Sequence, residues 1–214
     1  MFTSIGKPKY MNKYVLGFKD GMTQVFDENG FVVPVTAINV PKNTVTAVKT
    51  DDSDGYSAVQ VACGERNKKQ INKAAAGHLK KANLETARVM REFRVDSTDL
   101  EVGASIGVDT FEKGDTVQIS SVSKGKGFQG GVKRHNFSGG RRSHGNKHAE
   151  REVGSIGDMG IQRVMKGKRM PGRMGSDRIT IKGLDVVMVD TENNRLLVRG
   201  SIAGKRGDVV EITA

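Results

Sequence analysis

A stretch of 58 residues, numbers 121–178, holds too few apolar side chains to fold by burying them. It contains only 13 apolar residues but 13 of the chain's 27 glycines. Glycine loses more backbone entropy on folding than any other residue, and so little apolar surface cannot offset that loss. The stretch also carries 14 Lys and Arg against four acids, a net charge of +10 out of +11 for the chain. We therefore expect it to become ordered against a polyanion, and specifically against nucleic acid.

The other 156 residues are nearly neutral, with 21 basic and 20 acidic side chains. They can support an ordinary globular core. The single cysteine, Cys63, excludes a disulfide framework and favours a reducing compartment. No apolar run approaches the roughly 18 residues of a membrane span. The basic stretch is too rich in glycine to form an amphipathic helix on anionic lipid, so nucleic acid is the preferred partner.

Short apolar runs separated by turn formers predict a β domain. The predicted strands are residues 14–18, 23–26, 31–40, 44–49, 57–63, 88–95, 116–122, 178–182, 184–190, 195–199 and 209–213. Turns are predicted at 27–30, 51–55 and 191–194, and the Ala/Lys spacing of residues 72–84 predicts a helix. Strands at this regular spacing indicate a small antiparallel barrel or sandwich rather than a βαβ sheet.

The run GKGFQG at residues 125–130 matches the G-x-G-x-x-G fingerprint of dinucleotide-binding folds. No second strand closes a βαβ unit within about 30 residues, and basic residues stand where a ribose-binding acid is needed. Glycines between lysines instead let the backbone approach phosphates closely. Two alternatives stay open: a nucleotide-using oxidoreductase built on this run, and a free-standing DNA- or RNA-binding regulator.

His144 and His148 have the spacing of two metal ligands on one helical face. Zinc needs further ligands, Cys63 is far away in sequence, and Lys147 and Arg151 would repel a cation. Histidines that stack on bases or bond phosphate fit this setting better. No serine or cysteine has a general base placed by a recognised motif. We expect no catalytic residue, no metal, no cofactor and no small-molecule substrate.

Nine motifs in one order resemble the ribosomal protein L3 family of the bacterial large subunit. They are DGMTQVF (20–26), DGYSAVQ (54–60), SKGKGFQG (123–130), KRH (133–135), FSGG (137–140), SHG (143–145), GSIG (154–157), KGKRMPGRMG (166–175) and LDVV (184–187). The match covers essentially residues 14–213, and the shared order makes it specific.

The resemblance implies a mainly β fold, a six-stranded antiparallel barrel of the translation-protein type with a long extended loop. We expect an N-terminal tail at 1–11, the barrel domain at 12–123 and 179–214 with a small α-containing insert near 64–87, and the loop at 124–178. It also implies a structural protein of the cytoplasmic large ribosomal subunit, not an enzyme. Such a protein binds large-subunit rRNA near its 3′ end, assembles early, sends its loop towards the peptidyl transferase centre and lies close to ribosomal proteins L14 and L19.

The side chains that the resemblance assigns to rRNA are cations, histidines and one aromatic ring. They are Lys124, Lys126, Phe128, Lys133, Arg134, His135, Arg141, Arg142, His144, Lys147, His148, Arg151, Arg163, Lys166, Lys168, Arg169, Arg173 and Arg178. With about 10 phosphate contacts, log K against log salt should slope by about −7 on the single-strand coefficient. Asp158 stands where some relatives carry a glutamine that becomes methylated, and aspartate cannot accept that modification.

Overall fold

A computed structural model describes residues 13–95, 100–157 and 160–214; the predicted tail at 1–11 and Asp158 lie outside these ranges. The fold is mainly β. The strands of the described residues are β1 Tyr14–Phe26, β2 Val32–Asn39, β3 Asn43–Lys49, β4 Ala58–Cys63, β5 Val89–Arg94, β6 Ser105–Ile106, β7 Thr116–Val122, β8 Phe128–Gln129, β9 Gly172–Arg173, β10 Arg178–Asp190, β11 Arg195–Arg199 and β12 Val209–Thr213. The helices are α1 Asp51–Asp54, α2 Lys73–Lys80 and α3 Gly131–His135, with 3-10 turns at Lys68–Gln70, Val108–Thr110 and Ala149–Arg151.

Six strands close into an antiparallel barrel in the order β1-β12-β7-β10-β11-β2, which confirms the predicted fold. Apolar side chains at alternate strand positions fill the barrel, because every second side chain of a strand points inward. In β11, Leu196 and Val198 are buried between exposed arginines, and in β12 Val210 and Ile212 are buried in the same way. These side chains join one apolar core that runs through the barrel.

A second sheet in the order β5-β4-β3-β6 packs beside the barrel strand β1. Val15 belongs to the barrel core, whereas its neighbours Tyr14 and Leu16 belong to the core under the second sheet. The side-chain amide of Asn43 fixes this junction: its Oδ1 accepts from the Leu16 backbone N–H and its Nδ2 donates to the Leu16 carbonyl, both at 3.0 Å. The sequence did not predict this separate sheet; its strands were expected within the barrel domain.

Two predicted strand breaks are wrong, because bulges carry the strands across them. The predicted strands at 14–18 and 23–26 form one strand, β1, with a register shift between Lys19 and Met22. The strands at 178–182 and 184–190 form one strand, β10, with a shift between Ile181 and Leu184. A bulge adds a residue and turns the strand without ending it.

The structure has a short helix where the sequence predicts a turn, and the one predicted helix is shorter than expected. The predicted turn at 51–55 contains α1, which ends at Gly55 with a left-handed φ of 75°. The helix predicted at 72–84 begins after Asn72, whose side chain accepts a hydrogen bond from the Ala75 N–H at 2.7 Å, and ends at Lys80. No helix within the described ranges is long and apolar enough to cross a membrane.

Candidate nucleic-acid interface

The described residues separate into two compact units. One contains the barrel and the second sheet and runs to Val122, then from Arg178 to the end of the chain. The other is Ser123–Asp177, which we call the extension. The extension holds 13 of the 35 Lys and Arg but only four acids. Its net charge of +9 therefore far exceeds that of the larger unit.

The two ends of the extension run antiparallel and form a stem. Ser123 donates its backbone N–H to the Asp177 carbonyl at 2.9 Å, and its side-chain oxygen accepts from the Asp177 N–H at 3.2 Å. Further along, the Lys126 N–H donates to the Met174 carbonyl at 2.9 Å. The stem ends in the short pair of β8 and β9. It holds the intervening residues as one closed loop.

Glycines allow the two sides of the stem to approach closely. A Cβ at Gly175 would overlap the carbonyl oxygen of Lys124, and Gly175 also has a φ of +76°. On the opposite side, a Cβ at Gly125 would lie 2.9 Å from the Ser176 hydroxyl. Glycine at 175 is thus required by the packing of the stem itself, and Gly125, which the sequence attributed to phosphate approach, also lies against the opposite side of the stem.

Helix α3 and the segment before β9 are joined by internal hydrogen bonds. Arg134 Nη1 donates to the Met170 carbonyl at 2.7 Å, and His135 Nε2 lies 3.1 Å from the same oxygen. The His135 ring packs against Phe137 with centroids 5.7 Å apart. These two side chains, which the sequence assigned to rRNA, therefore have a structural role within the extension.

The tip of the extension is closed by the side chain of Asn146. Its Nδ2 donates to the Arg141 carbonyl at 2.6 Å, and its Oδ1 accepts from the Ala149 N–H at 3.0 Å. Gly140 donates its N–H to the Glu150 carbonyl at 3.0 Å, which brings the two sides of the tip together. The sequence analysis missed Asn146. The residue before the 3-10 turn is His148, so no capping pattern marks Asn146; its side chain instead bonds a backbone N–H three residues further on.

Sixteen of the 18 predicted rRNA contacts are exposed, and only Arg134 and His135 are half-buried. Arg142 forms an ion pair with Glu150 at 3.2 Å, and Arg178, which belongs to the larger unit, pairs with Glu211. No acid among the described residues lies within ion-pair distance of the others. The exposed cations of the extension without an acid partner are Lys124, Lys126, Lys133, Arg141, Lys147, Arg151, Arg163, Lys166, Lys168, Arg169 and Arg173.

Phe128 and Arg173 lie directly opposite each other in the β8–β9 pair. Directly opposed residues of an antiparallel pair share one face, so the two side chains leave the pair on the same side. Phe128 is 75% exposed, so most of its ring is open to solvent. An exposed ring beside an unpaired guanidinium can stack on a base and bond the adjoining phosphate.

Residues 49–213 match the family model described as Ribosomal protein L3. The chain belongs to the ribosomal protein L3 family. Three relatives carry the name large ribosomal subunit protein uL3. That of Pseudoalteromonas atlantica is 48% identical over 204 residues, covering 94% of this chain and 96% of the relative. That of Alcanivorax borkumensis is 49% identical over 198 residues (92% and 94%), and that of Staphylococcus epidermidis is 46% identical over 213 residues (95% and 96%).

Membership of the ribosomal protein L3 family confirms the resemblance in the motifs, and the family consists of structural proteins rather than enzymes. The geometry of the GKGFQG run agrees. All strand pairs of the described residues are antiparallel, and β8 is two residues long, so the run does not open a βαβ unit. His144 and His148 are exposed, and the described residues contain no group of three His, Cys, Asp or Glu that could hold a metal ion.

Proposed function

We propose that this chain is a structural constituent of the large subunit of the cytoplasmic ribosome and that its extension binds large-subunit rRNA. Family membership supports the first part. One observation supports the second: the extension presents eleven exposed Lys and Arg with no acid partner in the described residues. Unpaired, solvated cations of one sign are the groups that release counterions from a phosphate backbone.

The extension acts as an electrostatic cement between RNA helices. Phosphates of neighbouring helices repel one another, and cations placed between them on a thin, closed loop remove that repulsion. The loop is thin because Gly125 and Gly175 let the two sides of the stem lie against each other. Recognition is mainly of backbone and shape, as is usual for RNA, with Phe128 and Arg173 available for an unstacked base.

The finer assignment is what the resemblance in the motifs implies. The rRNA contacts lie near the 3′ end of the molecule, and the chain joins the subunit early in assembly. The tip, around Gly140 and Glu150, reaches towards the peptidyl transferase centre. L14 and L19 are the expected protein neighbours. Because ordering of so polar a segment needs a polyanion, the RNA and the extension order each other.

Sedimentation tests the proposal. A tagged full-length chain, expressed in a bacterium, should travel with the large subunit through a gradient of high ionic strength. Recovery at the top of the gradient would refute the ribosomal assignment. Absorbance of a bound nucleotide in that fraction would then favour the oxidoreductase, and sequence-specific binding of DNA or RNA by the protein would favour the regulator.

A deletion tests the role of the tip separately. Residues 141–149 can be replaced by a two-residue Asn-Gly turn, because the Gly140 N–H bonds the Glu150 carbonyl and such a turn closes a hydrogen-bonded antiparallel pair. We expect the shortened chain to fold and to enter particles, and the particles to lose peptidyl-transfer activity or to accumulate as precursors. Fully active particles at normal yield would contradict the role of the tip. The matched control keeps the full loop length and replaces Arg141, Arg142 and Lys147 by glutamine.

A further inference from the structure

The end of the β1–β2 hairpin, residues 22–33, which we call the hairpin tip, is apolar and uncovered. Met22, Phe26, Phe31 and Val32 are between 53% and 70% exposed. Val25 and Val33 of the same strands line an adjoining cleft of about 460 Å³ together with side chains of β10. Clustered exposed apolar side chains of this size mark sites of interaction on a soluble protein.

Strand β1 also presents an open backbone edge along the hairpin tip. Its ladder with β12 ends at Phe18, whereas its ladder with β2 continues to Phe26. The Gly200 N–H donates to the Pro34 carbonyl at 2.9 Å, so the backbone of Pro34 faces away from β1. Gln24, which lies opposite Pro34, therefore faces its own backbone groups away from β2, as do the residues two positions before and after it. Within the described residues no ladder uses these groups.

The charges around the cleft do not suit RNA. Three acids and two bases line it, a net charge of −1 in a chain of net +11. The bases are neutralised locally: Lys113 pairs with Glu28 at 3.0 Å, and Arg199 pairs with Asp185 at 3.8 Å. A polyanion would gain no free cation here. A second copy of the chain is also disfavoured, because two molecules of charge +11 repel each other.

We propose that the hairpin tip docks an extended segment of another large-subunit protein, which adds as a strand to the open edge of β1. Backbone hydrogen bonds to the groups of Met22, Gln24 and Phe26 supply the pairing, and the apolar side chains of the segment cover the exposed rings. The net charge of −1 favours a segment flanked by Lys or Arg. This inference rests on the proposed function, because the partner is sought within the large subunit.

Photo-cross-linking in purified large subunits identifies the occupant. With p-benzoylphenylalanine at position 31, we expect an RNase-resistant cross-link to a segment of one other ribosomal protein, mapped by mass spectrometry. The same group at position 128 should cross-link to rRNA and serves as the internal reference. An RNase-sensitive adduct at position 31, a cross-link to a second copy, or one to residues 1–12 of the same chain would overturn the inference.

A proline at the open edge then tests the strand pairing. Gln24→Pro removes an outward-facing N–H and leaves the β1–β2 ladder intact, because that N–H does not bond β2. We expect the cross-linked protein to fall roughly tenfold in salt-washed particles relative to the other subunit proteins. Val32→Ser should act in the same direction, and Val102→Ser, at a comparably exposed valine outside the hairpin tip, should not.

The outcomes distinguish failure of docking at the hairpin tip from failure of the proposed function. Particles that contain the variant at normal occupancy, with unchanged amounts of every other protein, would refute docking at the hairpin tip and leave the proposed function standing. A chain that never enters particles, with or without the substitutions, would refute the proposed function itself. Thermal unfolding of the isolated variants, compared with the unsubstituted chain, establishes that the barrel remains folded.

Discussion

Neutralising three cations of the extension should change the salt dependence of rRNA binding by a calculable amount. Lys166, Lys168 and Arg169 lie within one four-residue run, are exposed, and have no acid partner in the described residues. Each phosphate contact contributes about −0.7 to the slope of log K against log salt on the single-strand coefficient. The triple substitution by glutamine should therefore make the slope shallower by about 2. At about 0.1 M salt the same relation gives a loss of roughly 100-fold in affinity, or about 3 kcal/mol.

The assay is equilibrium binding of the purified full-length chain to isolated large-subunit rRNA at a series of KCl concentrations. The matched control replaces Lys69, Lys73 and Lys80, which are equally exposed but belong to the larger unit, by glutamine. Both variants have the same net charge, so long-range attraction weakens equally in the two. Only loss of local phosphate contacts changes the slope. An unchanged slope in the first variant, or the same change in both, would refute the assignment of the interface to the extension.

Two further predictions concern packing and pH. Gly127→Ala and Gly175→Ala both place alanine at a positive φ, which costs about 1–2 kcal/mol, but only at Gly175 does the new Cβ also overlap the Lys124 carbonyl. Hydrogen exchange of the Lys126 N–H, paired across the stem, should therefore accelerate more in Gly175→Ala; equal rates would argue against close packing of the stem. Burial raises the pKa of the Cys63 thiol from 9.0 to about 11, with Arg88 partly opposing it. Because the unfolded thiol ionises first, this stability is complete below pH 9 and is lost as the pH rises towards 11. The free energy of unfolding in urea should fall across that window by roughly 3 kcal/mol more than in Cys63→Ala, and parallel curves would contradict it.

The sequence located best those barrel strands whose two ends are marked by neighbouring turn residues. Arg195–Arg199 and Val209–Thr213 are short apolar runs between clear turn signals, and both predicted bounds agree with the structure, in which every second residue is buried. The second sheet was not predictable in this way. The apolar residues of β3 would show the same pattern in either sheet. The position of β3 beside β1 depends on contacts distant in sequence, such as the hydrogen bonds of the buried Asn43 amide with Leu16.

The candidate interface shows the same division between local and distant information. The sequence assigned 18 side chains to rRNA contact, which stays a prediction; 16 of them are exposed and two are half-buried. The roles of those two depend on a partner 35 or 36 residues away, since Arg134 and His135 both meet the Met170 carbonyl. The tight contact of Gly175 with Lys124 joins positions that are 51 residues apart. Local sequence marks such glycines and arginines but not the surfaces against which they pack.

The balance of acids and bases distinguishes the two units as partners for RNA: the larger unit has 22 Lys and Arg against 20 Asp and Glu, whereas the extension has 13 against four. Nine of the ten ion pairs in the described residues lie in the larger unit, including Lys13 with Asp115 at 2.8 Å and Lys49 with Glu92 at 3.1 Å. Hydrogen bonding to Lys13 and to the Glu112 backbone N–H lowers the pKa of Asp115, so that carboxylate stays charged and its lysine stays neutralised well into the acidic range. Cations held in this way release no counterions when RNA approaches. Under the proposed function, the larger unit, with an excess of only two basic residues, suits protein contacts at its hairpin tip, and the extension, with an excess of nine, suits phosphates.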